Sequence, residues 1–164
     1  MTTPTVDQAA SHPSPWLPPR WFIRGAWMAH RAIHRFSGGR RGLSLPKPGV
    51  AFGHLKLTTV GRRSGKAREA ILGYIEDGPN LVTLAMNGWG DPEPAWWLNL
   101  QSLPDASVEL KAGTLLVRAR AAAGEERNRL WATVKEHRGY GDMDGYAVRR
   151  SGETAVVVLE PRDQ

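Results

Sequence analysis

The sequence predicts a small antiparallel β-barrel carrying helices, a mainly β member of the α+β class. Three observations predict it. Six short apolar runs, at 55–60, 68–76, 81–86, 107–111, 114–121 and 154–160, have the length of strands, and the first alternates at period two. Most neighbouring runs are joined by short glycine-containing turns, which suits hairpins. The first three runs have no helix between them, so a parallel doubly wound sheet is excluded, because parallel strands need crossover connections.

The elements follow in order. Residues 1–19 carry five prolines among Thr, Ser and Gln and read as a flexible or polyproline arm. Residues 20–37 lack proline and read as an amphipathic helix. Trp21, Phe22, Met28, Ile33 and Phe36 share one arc, with Arg24, Arg31 and Arg35 opposite. Such a helix could pack on the barrel, cover a pocket as a lid, or rest on anionic lipid. Gly38-Gly39 ends it, and a Gly- and Pro-rich connector leads to the first strand. The organisation is therefore an arm at 1–19, a helix with connector at 20–45, and the barrel at 46–164. Pro94 suits the first turn of a short helix through 96–100. A second helix spans 125–137, with Leu130, Trp131 and Val134 facing inward. Residues 140–150 read as a loop.

The 164-residue chain can bury a core without staples, and it has no cysteine. Disulfide frameworks, thiol chemistry and Cys-ligated metal sites are excluded, and a reducing cytoplasm is the expected compartment. No apolar stretch is long enough to span a bilayer, and the first residues do not form a secretory signal. The net charge of +6 favours an anionic partner. The cations concentrate at one turn and one helix, so nucleic acid is not the expected partner. His30 and His34 are four apart on the predicted helix, but arginine stands between them and no zinc-site glutamate follows the first. No metal site is expected.

Two segments can carry chemistry. Gly61-Arg62-Arg63-Ser64-Gly65-Lys66-Ala67-Arg68 places four cations on a tight turn with two glycines. Glycine lets backbone N–H groups approach an anion, and guanidinium forks match phosphate oxygens. The turn is not a Walker A loop, since a strand follows it. Its plain alternative is a solvated hairpin tip. The second segment runs from Ala85-Met86-Asn87-Gly88 through Trp96-Trp97-Leu98-Asn99-Leu100. A strand end, glycines and an aromatic helix start could form a ledge for a flat ring. The alternative is that one tryptophan is core and the other a cap.

Leu57-Thr58-Thr59-Val60-Gly61-Arg62-Arg63-Ser64-Gly65-Lys66-Ala67-Arg68 resembles the "LTT-GR-SG-R" signature of the deazaflavin-dependent nitroreductases of actinobacteria. Pro94-Ala95-Trp96-Trp97-Leu98-Asn99-Leu100 resembles their "PxWYLNL" segment, and the last helix and strand also match, over residues 33–162 in all. The resemblance implies a split β-barrel binding the 8-hydroxy-5-deazaflavin coenzyme F-420. It implies that Arg62, Arg63, Ser64, Gly65, Lys66 and Arg68 hold the coenzyme's phosphate and acidic tail. Ala85, Met86, Asn87, Gly88, Trp96, Trp97 and Asn99 would border the ring.

The family's tyrosine cluster after the last helix is represented by His137, Tyr140 and Met143, and Trp97 stands where tyrosine is usual. Tyr140, and secondarily His137, is the candidate donor to an acceptor oxygen. The expected function is a reductase passing hydride from reduced deazaflavin to a quinone, enone or nitroaromatic, as monomer or homodimer. The alternatives are a non-catalytic deazaflavin carrier and a relative that binds FMN.

Overall fold

A computed structural model describes residues 42–162. The arm at 1–19 and the predicted helix at 20–37 lie outside them. The strands are β1 Gly53–Val60, β2 Ala67–Asp77, β3 Asn80–Leu84, β4 Asp105–Leu110, β5 Gly113–Ala121 and β6 Val156–Pro161. The helices are α1 Ala95–Ser102, α2 Gly124–Lys135 and α3 Met143–Ala147, with one short 3-10 turn at Asn87–Trp89. The strands close a barrel in the order β1-β2-β3-β6-β5-β4, every pair antiparallel.

Alternation explains the two cores. Leu55, Leu57, Leu72, Tyr74, Val108, Val117 and Leu159 point into the barrel and pack with Trp97 and Leu100 of α1, which closes one end. The other faces of β2, β3 and β6 present Ile75, Val82, Val156 and Val158 to Leu130 and Val134 of α2, Met143 of α3, and Tyr140. Each fully buried aliphatic side chain contributes about 1.5–3 kcal/mol. One sheet thus separates an inner core from an outer one.

Three boundaries differ from the sequence expectation. β3 ends at Leu84, because Met86 turns into helical backbone (φ −94°, ψ −14°). Ser44 is stitched to His54 by paired backbone bonds of 3.2 and 2.9 Å, so the connector joins the sheet before β1 begins. The segment 140–150 is not all loop: α3 forms there, its first turn capped by Asp142, whose carboxylate accepts from the Gly145 amide at 3.0 Å. Five residues with an internal glycine leave no readable helical period.

Candidate functional site

Antiparallel order brings the β1–β2 turn, the end of β3, the ends of β5 and α1, and the starts of β4 and β6 toward one end of the barrel. The turn closes by Gly61 N–H to Lys66 O at 2.8 Å and Gly65 N–H to Gly61 O at 2.8 Å. Gly65 sits at φ +64°, a conformation that glycine takes without strain. Ser64 Oγ accepts from the Lys66 amide and from Arg68 Nη2, each at 3.4 Å. Arg62, Arg63, Lys66 and Arg68 are all exposed. A shallow groove of about 450 Å³ runs past Gly65, bordered by Val60, Ser107 and Leu116.

Elsewhere in the barrel most cations are paired. Lys56, Arg118, Arg120, Arg127, Arg129, Lys135, Arg150 and Arg162 each meet a carboxylate. Among the described residues, none of the four cations of the turn has an acidic partner within 4.0 Å. Their fields add in front of one glycine-rich turn, which is the arrangement that attracts a multiply charged anion.

Asn99 holds the turn in place. It is buried on α1, where Oδ1 accepts from the Arg62 amide at 3.2 Å and Arg62 Nη1 at 3.4 Å, while Nδ2 donates to Thr59 Oγ1 at 3.1 Å. Thr59 in turn donates to Arg68 O at 3.4 Å. The sequence places Asn99 at the ring's border; the structure makes it the tie between helix and turn. The two tryptophans also part. Trp97 is 6 % exposed and belongs to the inner core, so its face is not a ledge. Trp96 is half-buried beside it, with ring centroids 6.3 Å apart, and is the one with a face to offer.

β2 pairs with β3 only over Ile75–Asp77, so residues 67–72 have no ladder partner on that side among the described residues. Ala85 is fully buried, and Asn87, Gly88 and Trp89 all take left-handed backbone (φ 44°, 62° and 60°). For the asparagine and tryptophan this conformation costs roughly 1–2 kcal/mol each. Trp89 Cβ is thereby swung into the outer core against Trp131 and Tyr146. The Asn87 and Gly88 amides donate to no group among the described residues, and Asn87 Nδ2 donates to Pro92 O. Backbone strain of this kind is concentrated at functional sites.

Sequence reasoning missed Arg150. Its guanidinium lies within the protein, 1 % exposed, and donates to Ala85 O at 2.7 Å, Thr154 Oγ1 at 2.9 Å and Glu93 Oε1 at 3.0 Å. An arginine in a segment without periodicity carries no sequence signal for such burial.

Tyr140 and His137 belong to the outer side of the sheet. Tyr140 is 6 % exposed and packs on Phe52 at 4.6 Å, its hydroxyl over Gly73 of β2. Burial pushes its phenol well above the ordinary value, so it stays protonated. His137 is buried and donates Nδ1–H to Thr133 O at 2.9 Å, which leaves Nε2 as the remaining ring nitrogen. Among the described residues no three His, Asp or Glu side chains gather as a metal site, and His30 and His34 lie outside them. No described helix is long and apolar enough to cross a membrane.

A cation-rich turn free of acids, beside an open strand edge and a half-buried indole, fits a flat ring with an anionic tail. Residues 27–161 match the family model described as F420H(2)-dependent quinone reductase. The chain belongs to this quinone reductase family. Rv3178 of Mycobacterium tuberculosis, which bears the same reductase name, is 33 % identical over 101 residues, covering 62 % of this chain and 83 % of the relative. A solved "F420-H2 Dependent Reductase (FDR-A)" superposes with TM-score 0.58 at 27 % identity, covering 71 % of this chain and 97 % of its own. A structure described as a domain-swapped dimer superposes with TM-score 0.61 at 25 % identity, covering 87 % of this chain and all of that one. The quinone reductase is thus an oxidoreductase with a split-barrel fold, and its cofactor is coenzyme F-420.

Proposed function

We propose that this quinone reductase grips the phosphate and acidic tail of the coenzyme with Arg62, Arg63, Ser64, Gly65, Lys66 and Arg68. The observation that carries the reading is the set of four cations without an acidic partner on a glycine turn. The coenzyme, when bound in its reduced form, supplies a hydride from its ring to an electron-poor acceptor. Ala85, Met86, Asn87 and Gly88 border the ring beside β2, and the free Asn87 and Gly88 amides suit its carbonyl oxygens. Trp96 offers its face, while Asn99 acts from beneath by fixing the turn. The groove past Gly65 is the nearest course for the tail.

The acceptor is a quinone, with enones and nitroaromatics the classes to try beside it. Tyr140 keeps its proton and can donate to an acceptor oxygen that enters beside Phe52. His137, spent on Thr133 O through Nδ1, orients this corner. The domain-swapped relative favours a homodimer over a monomer.

The test is a fluorescence-quenching titration of the chain with the deazaflavin coenzyme and with FMN. The deazaflavin binds and FMN does not compete. The Arg63→Ala/Lys66→Ala double variant loses about 3 kcal/mol, or roughly a hundredfold in affinity, since hydrogen bonds to charged groups contribute about 1.5 kcal/mol each at the low end. Unchanged affinity overturns the assignment of the turn. Mixing reduced coenzyme with menadione then restores the oxidised absorbance; tight binding without turnover on any acceptor class would instead indicate a carrier.

A further inference from the structure

We propose that Arg150 is a positioning residue for hydride transfer, a buried clamp that sets the height of the ring-bordering loop over β2. The inference rests on the coenzyme reading above. Three separate pieces of chain converge on this guanidinium. Ala85 O belongs to the residue that follows β3, Thr154 lies two residues before β6, and Glu93 and Asp91 come from the loop leading into α1. The nearest Asp91 oxygen lies 4.0 Å from Nε, and Asp91 Oδ2 also accepts from the Ser151 amide at 3.0 Å. A planar fork with fixed donor directions can hold a carbonyl, a hydroxyl and a carboxylate at once; a lysine ammonium cannot reproduce that set.

The clamp spans the whole strained loop. One jaw is Ala85 O and the other is Glu93, with the left-handed residues Asn87, Gly88 and Trp89 between them. Left-handed backbone at two non-glycine residues persists only where its surroundings over-determine it. Trp89 in the outer core fixes the middle of the loop, and Arg150 fixes both ends. Its partner Glu93 directly precedes Pro94, the cap of α1, so the same arginine also bears on where Trp96 begins. The turn that grips the charged tail does not touch Arg150. Affinity and alignment are therefore assigned to different residues. A shift of about 1 Å in a reacting centre can cost a hundredfold in rate while the tail remains held.

Arg150→Lys and Glu93→Gln, with Arg150→Met as a harsher variant, test this by three readouts. Hydrogen exchange without coenzyme comes first: the Ala85 amide, bonded to Ala155 O, and the Trp89 and Gly90 amides, bonded within the loop, should exchange at least tenfold faster in Arg150→Lys, while β1 and β4 amides do not change. Next, coenzyme affinity by fluorescence should stay within threefold. Last, kcat with menadione should fall tenfold or more with the coenzyme KM nearly unchanged. Unaltered loop exchange in a folded Arg150→Lys overturns the clamp, and so does a loss of affinity as large as the loss of kcat. Should the parent chain bind no deazaflavin, the coenzyme reading fails, and the exchange measurement still decides the clamp.

Discussion

Removing one buried amide should loosen the coenzyme grip from a distance. Asn99→Ala deletes the Nδ2 donor to Thr59 Oγ1 and the Oδ1 acceptor of two Arg62 groups. The Thr59 bond is buried and contributes about 1 kcal/mol. The Arg62 groups are exposed, so water replaces Oδ1 there and the loss is smaller. Truncation leaves a small void at a site 4 % exposed, adding about 1 kcal/mol. The sum, about 2 kcal/mol, lowers the melting temperature by about 4–8 °C for a domain of this size. Freeing the Arg62 backbone should also weaken coenzyme binding about tenfold, equivalent to about 1.4 kcal/mol. Thermal melts by circular dichroism and a deazaflavin titration measure the two effects. Asn99→Asp separates them: it still accepts from Arg62, so part of the stability returns, but it adds an anion beneath the phosphate hook and binds coenzyme worse than the alanine variant. A melting temperature within about 1 °C of the parent, together with unchanged affinity, would refute the role given to Asn99.

Other outcomes follow from packing and charge. A Cβ on Gly73 would lie 2.9 Å from Phe52 Cδ2 and 3.0 Å from the Tyr140 hydroxyl, so Gly73→Ala should destabilise by about 1–3 kcal/mol in urea melts and disturb the Tyr140 corner. Tyr74 buries a hydroxyl that has no partner among the described residues, so Tyr74→Phe should leave stability equal or raise it by about 1 kcal/mol; a clear loss would show a bond beyond them. Hydrogen bonds from Arg129, Arg120 and Lys135 hold the Asp77, Glu126 and Asp144 carboxyls below their ordinary values of 3.8, 4.5 and 3.8. Depressed carboxyls stabilise the fold above those values and lose the contribution as pH falls through the folded ones, so the urea midpoint should drop between about pH 5 and pH 2. Asp77→Asn should shrink that drop slightly, as suits exposed pairs. Raising salt from 50 to 500 mM should weaken coenzyme binding, because the four cations of the turn face water.

What the sequence made legible followed from the reach of each pattern. The strands announce themselves as short apolar runs bounded by turns, the first also by alternation, and all six appeared, with β3 overextended because Met86 looks like another strand residue until its backbone turns. The basic turn could be read whole, since its chemistry is local in the chain. The aromatic ledge could not: Trp96 and Trp97 are neighbours in sequence, and only the direction in which α1 docks sends one inward. Asn99 and Arg150 act across 37 and 65 residues of separation, and no local periodicity encodes such partners. The helix α3 escaped because a five-residue helix is specified by its Asp142 cap more than by any apolar stripe.

The wall of strands between the two apolar layers has a consequence for how such a catalyst diversifies. The cations proposed for the coenzyme's tail, with Asn99 beneath them, sit on the β1–β2 turn and on α1 of the inner layer, whereas Tyr140 packs in the layer outside with Met86 and Trp89 of the neighbouring loop. On the proposed assignment, substitutions accumulating around Phe52, Tyr140 and Met143 can therefore reshape the acceptor's side without disturbing the turn that holds the coenzyme's tail. One scaffold can exchange its oxidants while retaining a single reductant.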